Sequence, residues 1–381
     1  MNQPAVDLLK RYIECRTDQP SPDYYDAVEL ITHRASQLGL QAETFELVDK
    51  NPFIQITLPG SQPDLPCIVL YSHMDVVPAD LGEWTTDPFT PIEIDKKIFG
   101  RGTQDMKVVG IQHLEALGRC LQHKTSLKRT VHVIFGPDEE IGGAKGVQLF
   151  VESDWFKKMN IHCWIDEGIA SGEDNFVIPI FYAERSPFWM MLTSEGHSSH
   201  GATCPAFNAP AAVLKLTSIF KDQIPLMFDG SSVNVTYMNS ESGQLNIIPA
   251  KCTVGLDVRL SPHSDLSAFH TFVLDSAREI GVEVEFLRQS STISPASPLE
   301  TSCTRAIQQV ITSFDHQFSM SIFPASTDSR FVRCKGIPAY GVSWLPDHKV
   351  LLHDKNEYIK IDTFLEGIMV FEMLIAKLCN V

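Results

Sequence analysis

The chain has 381 residues, 44% hydrophobic and 20% charged, with a formal net charge of −16. An acid excess of that size disfavours nucleic acids and anionic membranes as partners, because both reward a basic face, and any anionic ligand would need a local cation. The length points to two domains, and nine cysteines without a CxxC pair suit reduced thiols in the cytoplasm rather than a disulfide frame.

Residues 4–14 carry Val6, Leu8, Leu9, Tyr12 and Ile13 at helical spacing, so Met1 to Asp18 reads as an amphipathic helix and not as a signal peptide. Asp23 to Leu38 reads likewise, with Gly39 as its stop. Alternation in Gln41 to Leu47 and Phe53 to Leu58 suggests two antiparallel strands. The apolar run Cys67 to Tyr71, bounded by Pro66 and Ser72, predicts a strand buried on both faces. It delivers His73, with Asp75 two residues on, at the kind of strand end where open α/β sheets bind ligands. An imidazole that ligates a metal needs its other N–H held, and a neighbouring carboxylate does that. Taken alone, the pair reads more readily as a surface histidine beside a strand-terminal acid.

The stretch Val76 to Gly100 reads as a loop. It leads to Gly100-Arg101-Gly102-Thr103-Gln104-Asp105, where glycines permit tight turning, and then to a helix at about Met106 to Leu121. A role as helix cap would by itself account for Asp105. The strand Thr130 to Phe135 runs into Asp138-Glu139-Glu140, and the strand Ile161 to Ile165 into Asp166-Glu167. Adjacent acids repel, so such a cluster is either a solvated turn or a place where a cation compensates the charge. Three buried strands thus end in His-x-Asp, Asp-Glu-Glu and Asp-Glu. Converging imidazole and carboxylates suit Zn²⁺, with Co²⁺ or Mn²⁺ as alternatives by ligand type.

The pattern changes after Arg185. Strands are expected at Phe188 to Thr193, Val233 to Asn239, Cys252 to Leu260 and Val282 to Leu287, with helices at Ala209 to Phe220 and Asp265 to Glu279 and a turn at 240–244. That order describes a small antiparallel, ferredoxin-like α+β domain. Patterns compatible with the first part resume after Pro298, ending in a helix at about Ile361 to Leu378. The expectation is a catalytic α/β domain with a mixed central sheet, made of 1–184 and 298–381, interrupted by a lid or dimerisation domain at 185–297.

The stretches SHMDVVP (72–78), GRGTQDMK (100–107), PDEEIGG (137–143), DEGIA (166–170), YAERSP (182–187), NIIPA (246–250), ASTDSR (325–330) and LLHD (351–354) carry a resemblance that spans nearly the whole chain. It is to the zinc-dependent amidohydrolase family of aminoacylases, glutamate carboxypeptidase, acetylornithine deacetylase and succinyl-diaminopimelate desuccinylase, and the chain looks most like the aminoacylases. The resemblance implies two Zn²⁺ ions bridged by Asp105, with His73 and Glu167 completing one site and Glu140 and His353 the other. It implies that Asp75 orients His73, that Glu139 is the general base, and that the peptide after Asp105 is cis. His353 enters only through this resemblance; Asp138 and Asp166 are read as non-ligands. It further implies His200 as a donor to the tetrahedral intermediate, with His197 as a nearby rival, and Asn246 as a substrate contact. Arg330, with Arg333 close by, would grip a substrate carboxylate through guanidinium geometry. The implied enzyme is a cytoplasmic homodimer, joined through the inserted domain, that hydrolyses N-acyl-L-amino acids. Dipeptidase, carboxypeptidase or acetylornithine-type deacetylase activity on the same core is the alternative. A non-catalytic, zinc-stabilised binding protein is the rival from another class; an unliganded Glu139 beside an open metal position speaks against it.

Overall fold

A computed structural model describes residues 3–240, 244–290 and 292–381. Most of the turn expected at 240–244 lies outside the described residues. The chain divides into two units: Met1–Tyr182 with Ser297–Ser321 and Thr327–Val381, and Ala183–Ala296 with Ile322–Ser326.

An eight-stranded sheet organises the first unit, in the order Gln41–Val48, Asn51–Leu58, Val131–Gly136, Cys67–His73, Ile161–Asp166, Ala339–Gly341, Val177–Glu184 and Gln317–Phe323. Its four central strands, from Val131–Gly136 to Ala339–Gly341, are parallel, and the two preceding them are antiparallel. Every residue of Cys67–His73 is buried. Side chains alternate across a pleat, and here both faces meet a core. Ile68 and Leu70 join the larger apolar cluster beneath the helices Gln3–Glu14, Lys107–Gln122 and Ile361–Leu378. Cys67, Val69 and Tyr71 join a second cluster with Phe53, Phe150 and Trp164. A strand buried on both faces therefore reads as an unbroken apolar run.

Register aligns the carboxyl ends of these strands, with His73 opposite Gly136 and Gly341 opposite Asp166. The acids that follow Gly136 and Asp166 are delivered to the same end of the sheet as His73.

The second unit is a four-stranded antiparallel sheet, in the order Ser232–Ser240, Lys251–Leu260, Ser186–Glu195 and Glu283–Gln289, with the helices Ala209–Met227 and Leu266–Ile280. Asn208 and Asp265 cap those helices, the first accepting the main-chain N–H of Ala211 and the second those of Ser267 and Ala268. The expected fold class, mixed α/β with a smaller α+β sheet, holds. No helix of the described residues is long and apolar enough to cross a membrane.

Two local expectations need correction. The stretch 76–100 is not all loop: Ile92–Ile94 and Lys97–Phe99 form a hairpin, joined by Tyr358–Lys360 as a third strand. Its turn residues Asp95 and Lys96 both have positive φ, as a tight two-residue hairpin connection requires. Strands of three residues are too short to leave a periodic trace. Nor does Asp105 cap the following helix. That helix begins at Lys107, its cap position is Met106, and the position makes no side-chain capping bond. The Asp105–Met106 peptide is cis, as expected.

Candidate metal centre

Five of the residues named from the sequence meet in two groups that share one carboxylate. Asp105 Oδ1 lies 3.1 Å from His73 Nε2, and Asp105 Oδ2 lies 3.2 Å from His353 Nε2. Glu167 Oε2 is 3.7 Å from His73 Nε2, and Glu140 Oε2 is 3.0 Å from His353 Nε2. Within each group, His73–Asp105–Glu167 and Asp105–Glu140–His353, one ligand atom per residue falls within 4.8 Å of the others. Each oxygen of Asp105 faces a different imidazole.

Whether this donor set suits a cation is decided by its charge and its loose ends. Asp105, Glu139, Glu167, Asp166 and Asp328 are buried, and Glu140 is nearly so, against two imidazoles. Glu140 Oε1 is buried and has no hydrogen-bond partner among the described residues. Acids so crowded either take up protons or are compensated by cations. Two imidazoles and two glutamates around a shared aspartate are the donors that divalent zinc-like ions take.

The electrostatics agree. Burial pushes Glu140 up to about 7, helped by the charge of Asp105, while the bond with His353 opposes the rise. Burial likewise raises Glu167, with Asp105 adding to it, and raises Glu139, with Glu167 adding to it. Hydrogen bonds to Asp105 and Glu140 lift His353 to about 10. Burial works against the charge on His73, but its bonds to Asp105 and Glu167 raise it well above the usual imidazole range. Burial opposes ionisation of Asp105 too; its bonds to His353 and His73 prevail and hold it below the ordinary carboxylate range. The cluster gathers positive charge around Asp105.

Asp75 works differently from the expectation. His73 Nδ1 donates to the main-chain oxygen of Asp75 at 2.8 Å, while the Asp75 carboxylate stands 3.7 Å away. The carboxylate instead accepts the main-chain N–H of Glu139 and of Glu140, each at 3.1 Å, and Nε2 of Gln19 at 2.8 Å. Asp75 thus fixes the imidazole through its backbone and the single 3₁₀ turn Glu139–Ile141 through its side chain. Glu139 lies at the start of that turn, buried, beside Glu140.

Glu357, which no sequence motif singles out, is fully buried and takes hydrogen bonds from the segment Arg101–Asp105. Lys107 is buried as well, its Nζ donating to the carbonyls of Tyr12 and Cys15 at 2.9 and 2.8 Å.

The acids set aside from the metal groups have other work. Asp166 accepts Ser329 Oγ at 2.6 Å and the N–H of Glu167, and Asp138 accepts the N–H of Lys145. Arg330 donates to the carbonyls of Thr327 and Gly142 and stacks on Phe331, which holds it beside the turn after Glu140. Arg333 is buried, with Nε on Ser297 Oγ and the carbonyl of Ala339, so its place is structural. His200 and Asn246 belong to the second unit. There Ser199–His200 pairs with Ile247–Ile248, and Gly201 N–H donates to the Asn246 carbonyl at 2.7 Å. Both side chains are exposed, as is His197.

The profile of the peptidase family M20/M25/M40 matches residues 69–377. Aminoacylase-1 of Mus musculus is 36% identical over 393 residues, covering 99% of this chain and 96% of that protein. Aminoacylase-1 of Dictyostelium discoideum is 32% identical over 404 residues, covering 98% and 97% respectively. Among solved structures, an M20 family metallo-carboxypeptidase from Sulfolobus solfataricus matches with a TM-score of 0.76 at 16% identity, covering 99% of each chain. At that identity the likeness concerns the fold.

Proposed function

The chain belongs to the peptidase family M20/M25/M40, and from that premise we propose that it is a metal-dependent amidohydrolase cleaving N-acyl-L-amino acids to a carboxylate and a free L-amino acid. Kinship with aminoacylases along the whole chain supports the substrate class. The observation that carries the chemistry is the Asp105 carboxylate, one oxygen turned to each imidazole.

In this reading the metals are two Zn²⁺ ions, one held by His73, Asp105 and Glu167, the other by Asp105, Glu140 and His353. Bound there, such ions acidify a water and polarise the scissile carbonyl. Glu139 belongs to neither group, and burial raises its proton affinity, which suits a proton carrier. It takes the proton of the attacking water as the carbon–oxygen bond forms, then gives a proton to the amine nitrogen as the carbon–nitrogen bond breaks. Asp75 keeps Glu139 and Glu140 in register through their main-chain N–H groups.

We assign His200 as a donor to the negatively charged intermediate, Asn246 as a substrate contact, and Arg330 as the cation for the substrate carboxylate. The pairing of Ser199–His200 with Ile247–Ile248, which sets His200 and Asn246 side by side, supports the first two. We further propose a homodimer formed through the second unit, whose edge strand Ser232–Ser240 exposes Val235, Tyr237 and Met238. A cytoplasmic location fits nine cysteines of which none forms a disulfide.

A hydrolysis panel tests the substrate class. N-acetyl-L-methionine and other N-acetyl-L-amino acids should exceed dipeptides, N-acetyl-ornithine and succinyl-diaminopimelate in kcat/KM by about tenfold or more, the size of discrimination a shaped pocket supplies. A panel led by dipeptides would instead make the enzyme a dipeptidase on the same centre.

A further inference from the structure

Glu357 lies four residues beyond His353 and is completely buried, yet it belongs to neither metal group. Its Oε2 accepts Arg101 Nη1 at 2.9 Å and the main-chain N–H of Gly102 at 3.1 Å. Its Oε1 accepts the main-chain N–H of Gln104 at 2.5 Å and of Asp105 at 3.2 Å. A carboxylate offers about four acceptor positions, and here all four are used by one short segment ending at Asp105. The same two segments are tied again nearby. Arg101 Nη1 reaches the carbonyl of Asp354 at 3.1 Å, Gly100 N–H the carbonyl of Glu357 at 3.0 Å, and Gln104 Oε1 accepts the N–H of Leu351 at 3.0 Å.

The two halves of the centre are therefore held by different means. His73 stands at the end of a buried strand, with its imidazole on the Asp75 carbonyl, and Glu167 follows the neighbouring parallel strand. His353 has no strand beneath it. It sits in a loop, half-exposed, at φ 60°, and the Glu357 brace ties that loop to Asp105. We propose that Glu357 is a positioning residue that sets Asp105 against His353 and thereby governs metal affinity at the Asp105–Glu140–His353 group, leaving the His73–Asp105–Glu167 group largely to the sheet. The proposal rests on the metal reading above.

Glutamine is the informative replacement. It keeps the volume of Glu357 but replaces one acceptor oxygen with an NH₂, so two of the four donors would face hydrogens instead of lone pairs. The test is chelator competition on the Co²⁺-loaded full-length protein, followed by the visible absorption of the bound Co²⁺. The control is Glu115→Gln, which cuts the partly buried pair of Arg34 and Glu115, distant in sequence from every ligand except Asp105 and outside both groups. In Glu357→Gln, one of the two Co²⁺ equivalents should be lost with an affinity about 10- to 100-fold weaker, the usual scale for removing a group that orients a ligand. The other equivalent should stay within about threefold, the weakened one, loaded with excess Co²⁺, should show an altered absorption band, and Glu115→Gln should leave both unchanged. If Glu357→Gln does not accumulate as folded protein, Arg101→Met is read in the same way and should weaken the same single equivalent by a smaller factor. Two equivalents bound as in the wild type, or both weakened by one common factor, would overturn the role of Glu357. A wild-type chain holding fewer than two Co²⁺ would overturn the metal reading, and the proposal with it.

Discussion

The two places where the proposed functional side chains gather are built on opposite principles. In the first unit, His73, Asp105, Glu139 and Glu167 are buried, and each stands on backbone fixed by a strand, a turn or a carboxylate brace. In the second unit, His200 and Asn246 are exposed, His200 on a two-residue strand and Asn246 just before that strand's partner Ile247–Ile248. Burial of charge is tolerated only where partners are set in advance, so the metal groups come with a surrounding shell of hydrogen bonds. Groups proposed to meet only the substrate would need no such shell.

That contrast can be broken at several points. The largest effect is expected from Glu139→Gln, which should lower kcat by about 10²- to 10⁴-fold, the contribution of a positioned proton carrier, while metal content measured by atomic emission stays at the wild-type level. Loss of metal would place Glu139 among the ligands instead. His200→Ala should cost about 10²- to 10³-fold in kcat, as removal of a donor to an oxyanion does, with no change in metal content or melting temperature. A drop in melting temperature comparable to that of a core variant would show that the second unit also builds its functional residues into its stability.

Asp75→Ala sharpens the comparison within the first unit. The variant keeps the main-chain carbonyl that holds His73 and removes the carboxylate that holds Glu139 and Glu140. Metal affinity should fall by about 10- to 100-fold at the Glu140 group and less at the His73 group, as titration with chelator would read. Equal loss at both would mean that the carboxylate, despite its distance, orients the imidazole.

The smallest effect concerns a histidine with no part in the centre. His113 is fully buried against Phe371, neither ring nitrogen has a partner among the described residues, and burial lowers its pKa to about 3. The unfolded chain takes up this proton below about pH 6.5, whereas the folded chain does so only near pH 3. The associated stability is therefore whole above pH 6.5 and is lost as the pH falls toward 3. Between pH 7 and pH 5, denaturant unfolding of His113→Phe should lose about 2 kcal/mol less than the wild type. Equal losses would mean that His113 takes up its proton as readily in the folded chain as in the unfolded one.

What could be read from the sequence follows from where the information sits. Cys67 to Tyr71 announces itself because a doubly buried strand must be apolar throughout, and acids crowded after such strands are conspicuous for the same reason. His353 is different: its loop has no periodic pattern, and only the resemblance to a known family picks it out. Glu357 and Gln19 left no trace at all. Their partners lie some 250 and 56 positions away in the chain, and nothing in the residues around them reports those contacts. Asp105 was legible as chemistry but ambiguous as structure, since an acid before a helix is an ordinary cap until its carboxylate is seen to face two imidazoles instead.

The claim on which the rest depends is that Asp105 holds two cations at once. Anomalous X-ray diffraction from crystals of the full-length protein, at the absorption edge of the bound metal, tests it directly. The account predicts two peaks flanking the Asp105 carboxylate, each about 2.0–2.2 Å from one of its oxygens, one completed by His73 and Glu167 and the other by Glu140 and His353. A single peak, or peaks that leave either Asp105 oxygen without a metal, would contradict it.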